Sequence, residues 1–113
     1  MALATVNARG EPRVAPVDIL LVRGRFWTFA PASTARVRHL RRNPSVSLTW
    51  FDGDGPAVIV HGRAQIVPLD APEIVDVEAA CRDVYETLPR DWTTDGQGQL
   101  YIRIERGLLL AKS

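Results

Sequence analysis

Short apolar runs separated by glycine and proline turns fill most of the 113-residue sequence. Turn-forming residues stand at 8–12, 23–25, 52–56 and 106–107, with apolar segments between them. This spacing indicates antiparallel strands joined by tight turns, and it lacks the strand-helix-strand rhythm that produces parallel sheets. We therefore predict a mainly β fold, in which an antiparallel sheet of six or seven strands closes into a small barrel with two helices.

The most regular strand pattern is at 45–50, where apolar and hydroxyl residues alternate along the chain. The run 57–69 is long for one strand, and Gly62 at its middle predicts a bend, a bulge or the close approach of another backbone. The turn at 52–56 carries two aspartates but no terminal glutamate, so we do not expect a calcium loop there.

Residues 13–22 are apolar on both faces of a strand, but Pro16 interrupts them. Because proline cannot donate to a ladder, it predicts an edge strand, a bulge or a place where another group approaches the backbone. Asp18 is expected to face solvent or an arginine. Near the C-terminus, an Arg-Gly pair is expected to divide the strands 100–105 and 108–111.

Two helices are predicted between the strands. The first has Ser33 or Thr34 as its N-cap and ends at 43–44, an Asn-Pro pair. The second begins at 70–73 with an acidic cap and a proline in its first turn. Its apolar residues repeat at helical spacing and are expected to cover the sheet: Ile74, Val77, Cys81, Val84, Tyr85 and Leu88.

Three isolated residues have alternative interpretations. Cys81 is the only cysteine, which excludes an intrachain disulfide and is typical of a core residue. His61 has no histidine, cysteine or acid at ligand spacing, so a polar-face histidine is favoured over a metal ligand or general base. Trp92 lies in a loop, where it either closes over a ligand or packs on the domain or a second subunit.

Charge and hydropathy limit the partners of the chain. The formal net charge is +1, which gives no global field for nucleic acid, and no apolar run approaches the roughly 18 residues of a membrane span. We expect a single cytoplasmic domain over residues 1–113, with no nucleic-acid or membrane partner. Positive charge is instead concentrated within seven positions, at Arg36, Arg38, Arg41 and Arg42.

The start of the first helix is the strongest candidate binding site. Free backbone N–H groups and the helix dipole favour an anion there, and Ser33 and Thr34 add hydroxyls. Arg36 falls in the first turn, where the helix dipole destabilises a cation by roughly a few tenths of a kcal/mol unless an anion is bound. Since the sequence shows no catalytic triad, nucleotide-binding glycine motif or Walker loop, this site favours an organic cofactor that carries the chemistry.

The ordered succession of three segments resembles the pyridoxamine 5′-phosphate oxidase-like split-barrel family of flavin and deazaflavin proteins. The segments are Ala4-Thr5-Val6-Asn7-Ala8-x-Gly10-x-Pro12-x-Val14-x-Pro16-Val17, Phe29-Ala30-x(3)-Thr34-x-Arg36-x-Arg38-x-Leu40-x-x-Asn43-Pro44-x-Val46-Ser47-Leu48 and Val60-x-Gly62-Arg63-Ala64-x-Ile66-Val67. The resemblance implies a six-stranded antiparallel split barrel and a homodimer with two cofactor sites at the subunit interface. It implies FMN as the cofactor, with the deazaflavin F420 as the alternative.

The resemblance also assigns residues to the cofactor. Those matching 15–18 and 29–30 lie along the ring system, and those matching Thr34 and Arg36 hold the phosphate. With two further residues from the helix region, the predicted cofactor-binding set is Ala15, Pro16, Val17, Asp18, Phe29, Ala30, Ser33, Thr34, Arg36 and Arg41.

The chain departs from the family pattern at several positions. Ala35 stands where relatives often have a second basic residue, so Arg38 or Arg41 is expected to compensate. Pro16 and Asp18 replace residues that vitamin B6 oxidases use around the ring and substrate, so that activity is not expected.

The resemblance leaves two functions open. The first is hydride transfer between FMN or F420 and a small organic substrate at the dimer interface, with no side chain assigned as acid or base. The alternative is a non-catalytic cofactor-binding or carrier protein.

Overall fold

The computed structural model describes residues 1–51, 57–93 and 98–112, so the predicted aspartate turn lies outside the described residues. Seven strands are present within these ranges: β1 (Ala2–Val6), β2 (Pro12–Pro16), β3 (Leu20–Val22), β4 (Arg25–Pro31), β5 (Ser45–Phe51), β6 (Ala57–Val67) and β7 (Gln99–Lys112). The helical segments are α1 (Ala35–Arg42), α2 (Ile74–Tyr85) and a 3₁₀ turn at Pro89–Asp91. All strands pair antiparallel in one sheet of order β2-β1-β5-β6-β7-β4-β3. The predicted mainly β fold with two helices is confirmed.

The connection between β2 and β3 closes the sheet into a barrel. In a flat sheet, six strand spacings would separate these two edge strands by about 29 Å. The chain from Pro16 to the start of β3 reaches at most about 14 Å, so the sheet must curl until its edges approach. Two hydrogen bonds hold this linker in place: Val17 N–H donates to the Met1 carbonyl and the Thr28 hydroxyl donates to the Asp18 carbonyl, each at 3.0 Å.

Two hydrophobic cores lie on opposite faces of the sheet. The barrel interior, to which α1 contributes two side chains, holds Leu3, Ala30, Val37, Leu40, Val46, Leu48, Val60, Ala64, Ile102 and Ile104. The outer core, between the sheet and α2, holds Trp27, Phe29, Val67, Ile74, Val77, Cys81 and Tyr101. Because neighbouring side chains of a strand point to opposite faces, β4 and β7 contribute to both cores.

The long strand β6 contains the irregularity that Gly62 predicts. The pairing register between β6 and β7 shifts between His61 and Gly62. A Cβ atom on Gly62 would lie only 2.1 Å from the carbonyl oxygen of Glu105, so both the bulge and the close backbone approach are confirmed.

Two strand predictions were wrong at their boundaries. The segment 13–22 is two strands at opposite edges of the sheet, because residues 17–19 form the linker that closes the barrel. The two C-terminal strands are one, because β7 pairs continuously with β6 and the bulge accommodates the Arg-Gly pair at 106–107. Pro16 ends an edge strand, as predicted.

The second helix begins at Ile74, later than predicted, and Glu73 at its N-cap makes no side-chain capping bond. Val84, predicted to face the core, is 59% exposed. Cys81 is fully buried, as predicted. Neither described α-helix is long and apolar enough to cross a membrane.

Candidate functional site

The start of α1 is fixed by Thr34, which resolves the choice between the two predicted caps. Thr34 has extended backbone angles, and its hydroxyl oxygen accepts from Val37 N–H at 3.4 Å. The same hydroxyl donates to the Pro31 carbonyl at 2.9 Å, which ties the helix start to the end of β4. Ser33 is exposed, and its carbonyl accepts from the Arg38 guanidinium at 2.8 Å.

A groove of about 290 Å³ lies between the β1–β2 hairpin and the first turn of α1. We call it the Arg36 groove; it is lined by Leu3, Thr5, Arg13, Val14, Ala15, Ala35, Arg36 and His39. Two residues predicted from the sequence to bind the same cofactor, Ala15 on β2 and Arg36 on α1, therefore meet in one place.

Arg36 is the electrostatic centre of this groove. Its Nε is buried and makes no hydrogen bond to the described residues, and burial lowers the pKa of its guanidinium. Because arginine stays protonated in proteins, the partly buried group remains a cation, and its Nε donor is unused by the described residues. An unsatisfied buried donor costs about 1–3 kcal/mol, which an anionic ligand in the groove would offset. The residues present thus fit a phosphate-bearing cofactor.

A second groove of about 490 Å³ adjoins the first and shares His39 with it. We call it the basic groove; its other lining residues are Asn7, Ala8, Arg9, Arg38, Arg41 and Arg42. Arg41, predicted to contact the cofactor, thus lies in the basic groove and does not line the Arg36 groove. Arg38 lines the basic groove too, so neither arginine lines the Arg36 groove beside Ala35.

The predicted ring-binding segment on β2 is only partly at the groove. Ala15 lines it, whereas Pro16 and Asp18 are exposed where the strand gives way to the linker. Val17 packs against the barrel core. The turn away from the groove follows from barrel closure, because the chain leaves β1 at this point to reach the opposite edge strand.

Phe29 and Ala30 are buried, and their side chains do not line the Arg36 groove. Phe29 packs edge to face on Tyr101 and Trp92, with ring centroids 5.2 and 6.2 Å apart. Trp92 also packs on Tyr85 at 5.1 Å, so it packs on its own domain, one of its predicted roles. The contact of Phe29 and Ala30 with a cofactor ring stays a prediction.

Sequence reasoning missed three polar residues of the groove, Thr5, Arg13 and His39, and three apolar ones, Leu3, Val14 and Ala35. The spacing of Arg36 and His39, three positions apart on a helix, was a signal that they share a face. No comparable signal identified Thr5 or Arg13, because strand pairing brings the β1–β2 hairpin to the helix.

Other titratable groups in the described ranges form no competing site. No group of three or more histidine, cysteine or acidic residues is placed there to hold a metal ion. His61 is exposed, and its Nδ1 lies 2.7 Å from the Ser47 hydroxyl oxygen. This is the only hydrogen bond that its side chain makes to the described residues, in keeping with a polar-face histidine. Burial raises the pKa of the Cys81 thiol to about 11, which removes it as a nucleophile near neutral pH.

Comparison with known proteins gives one family match. The sequence profile described as pyridoxamine 5′-phosphate oxidase matches residues 1–100. No curated protein matches the chain at a significant level.

Solved structures with the same fold have varied descriptions. The heme storage protein HutZ of Vibrio cholerae is 19% identical, with a TM-score of 0.76 over 98% of this chain and 84% of its own. A protein described as F420 reductase is 20% identical, with a TM-score of 0.73 over 96% and 86%. A FAD-binding protein of Mesorhizobium loti is 21% identical, with a TM-score of 0.70 over 97% and 82%. These similarities show the shared fold.

Proposed function

Because the chain belongs to the pyridoxamine 5′-phosphate oxidase family, we propose that it binds FMN in the Arg36 groove and acts as an oxidoreductase. F420 is the alternative cofactor, and the substrate is a small organic molecule. The observation that carries this proposal is the buried Nε of Arg36 beside the N-terminus of α1, which has no hydrogen-bond partner within residues 1–51, 57–93 and 98–112.

The protein's own residues would hold the phosphate and shape the groove. Arg36 supplies the fixed charge, and the free N–H groups at the start of α1 add donors to the same end of the groove. Leu3, Val14 and Ala15 give the groove an apolar wall, which suits a planar ring. A bound flavin or deazaflavin supplies the hydride chemistry, and the chain orients it and limits the access of water.

We further propose that the functional unit is a homodimer. Val14 on β2 and Leu21 on β3 are large apolar side chains that are 70% and 65% exposed, and they lie on the two edge strands. Val14 also lines the Arg36 groove, so a partner that covered Val14 would close the groove from outside. Burial of such exposed apolar side chains is a usual source of dimer stability.

The test is a titration of the purified protein with FMN and F420, followed by absorption and fluorescence. We expect Arg36→Ala to weaken binding by about 1.5–3 kcal/mol, or about 10- to 150-fold, because it removes a charge-assisted hydrogen bond. Arg42→Ala, in the basic groove, is the matched control and should change binding little.

Three outcomes of this titration are decisive. Equal losses in the two variants would place the phosphate elsewhere. Failure of the wild-type protein to bind either cofactor would overturn the proposal. Binding without reduction of any electron acceptor would favour the non-catalytic carrier function.

A further inference from the structure

His39 lies at the junction of the two grooves and has no assigned role. It follows Arg36 by three positions on α1, which places the two side chains on one helix face with Cβ atoms about 5–6 Å apart. Both residues line the Arg36 groove, and His39 also lines the basic groove. A group held by Arg36 is therefore within reach of the imidazole.

One side of the imidazole is fixed by the barrel. The His39 Nδ1 is 3.1 Å from the hydroxyl of Thr5, which is only 3% exposed. This contact orients the ring and leaves Nε2, which forms no hydrogen bond to the part of the chain that the structure describes, as the remaining donor. When Nδ1 accepts from the Thr5 hydroxyl, Nε2 carries the ring proton and can donate it to a ligand.

The surroundings of His39 are strongly cationic. Among the described residues, no acidic side chain lines either groove. Of the arginines that line them, only Arg13 forms a salt bridge to a described residue, with Glu11 at 3.5 Å. The arginines that line the two grooves together with His39 are Arg9, Arg13, Arg36, Arg38, Arg41 and Arg42. A bound anion would be attracted by these like charges.

We propose that His39 is a second anion-binding side chain of the Arg36 groove and donates from Nε2–H to the phosphate that Arg36 holds. It takes the place of the basic residue that is absent at Ala35. Thr5 is its positioning residue, because its buried hydroxyl sets the direction of the ring. This inference rests on the proposed function and adds to it a second side-chain contact with the phosphate.

A purely structural role for His39 makes a different prediction. If His39 only satisfies the buried Thr5 hydroxyl, its replacement changes protein stability and affects phosphorylated and phosphate-free ligands alike. If His39 contacts the phosphate, the effect is confined to phosphorylated ligands.

The experiment measures dissociation constants of FMN and riboflavin for the wild-type protein and His39→Leu at pH 7. The readout is the ratio between variant and wild type for each ligand. We expect His39→Leu to weaken FMN binding about tenfold, with riboflavin unchanged, because it removes a hydrogen bond to a charged phosphate. Thr5→Val should give a smaller loss that is also confined to FMN, and Arg42→Leu should have no effect.

Each departure from this pattern has a definite meaning. Equal FMN binding by His39→Leu and wild type overturns the His39 proposal and leaves the proposed function intact. An equal loss for riboflavin also overturns it, because the residue then acts through the fold. If the wild-type protein binds neither FMN nor F420, the proposed function fails and this inference fails with it. If only F420 binds, F420 and its phosphate-free deazaflavin replace FMN and riboflavin in the same comparison.

Discussion

Arg36 is a residue whose environment suits a ligand better than it suits the free protein. Its guanidinium loses hydration on burial and gains no hydrogen bond at Nε from the described residues. It also stands in the first turn of α1, where the helix dipole disfavours a cation. Residues of this kind commonly occur at functional sites, where stability is lower than the fold alone would allow.

This conflict predicts that Arg36→Met stabilises the free protein. Methionine keeps a long apolar side chain but removes the buried donor and the charge, so we expect the free energy of unfolding to rise by about 1 kcal/mol. Urea denaturation without cofactor measures this, and exposed Arg42→Met is the control with no expected change. With cofactor present, the wild-type protein should be more stable than Arg36→Met. Destabilisation of the cofactor-free Arg36→Met protein would contradict this account.

Cys81 is protected by the outer core. Burial raises the pKa of its thiol to about 11, and the nearby Glu78 carboxylate adds to that shift. At pH 8 only about 0.1% of such a thiol is thiolate. We expect alkylation of the native protein by iodoacetamide at pH 8 to be very slow and to become rapid in 6 M guanidinium. The folded protein keeps the thiol proton to a higher pH than the unfolded chain, in which the thiol pKa is about 9. The free energy of unfolding therefore falls as the pH rises from about 9 to about 11.

At the scale of single elements, the bulge in β6 depends on Gly62. Glu105 of β7 approaches so closely that any Cβ at position 62 meets its carbonyl oxygen. Gly62→Ala should lower the free energy of unfolding by about 2 kcal/mol, because backbone atoms must move to make room. Gly107→Ala is the control, since its Cβ would lie 3.3 Å from the His61 carbonyl oxygen and require only a small shift. Similar thermal midpoints for the two variants would contradict this.

Helix α2 is attached to the sheet by a polar network as well as by apolar packing. The Glu78 carboxylate accepts from the Tyr101 hydroxyl at 2.6 Å and from Arg90 Nε at 2.7 Å. Burial alone would raise the pKa of Glu78, but the hydrogen bonds from Arg90 and Tyr101 outweigh it and lower the pKa. Since the pKa of Glu78 is lower in the folded protein, the ionised carboxylate stabilises the fold. This stabilisation is present above the unfolded pKa of 4.5 and is lost as the pH falls through the folded pKa.

Removal of one hydroxyl tests this network. Tyr101→Phe should lower the free energy of unfolding at pH 7 by about 1–3 kcal/mol, because it deprives a largely buried carboxylate of a donor. Tyr85→Phe is the matched control on the same core, since the Tyr85 hydroxyl makes no hydrogen bond to the described residues. Urea denaturation at pH 7 and pH 4 measures the free energy of unfolding of both variants. Equal losses in the two variants, or a loss in Tyr101→Phe that does not depend on pH, would argue against the network.

At the scale of the whole molecule, closure of the sheet leaves two edge strands with exposed apolar side chains. The proposed homodimer covers Val14, so the chain of 12.5 kDa should sediment at about 25 kDa at micromolar concentration. Val14→Glu should shift the equilibrium toward the monomer and weaken FMN binding together. Val75→Glu, exposed on α2, is the control. A wild-type protein that stays monomeric up to about 100 μM would rule out the dimer.

Local patterns in the sequence account for many of the elements. Strict alternation predicts β5, and the Asn-Pro pair marks the end of α1, because these signals depend on neighbouring residues. The same local reasoning failed at 17–19 and at 106–107. There the outcome depends on which distant strand lies alongside, and no local pattern records that pairing.

The candidate site divides in the same way. The sequence by itself determined the antiparallel β class, a helix start after Ser33 or Thr34 as the candidate anion site, and the family resemblance, since each is read within short segments of the chain. Only the tertiary structure decided that Ala15 and Arg36 line one groove and that Arg41 lines another. It also decided that Phe29 packs into the outer core and that the His39 ring contacts the Thr5 hydroxyl. The physical reason is that barrel closure and strand pairing bring together residues distant in the chain, and these contacts set which side chains share a groove.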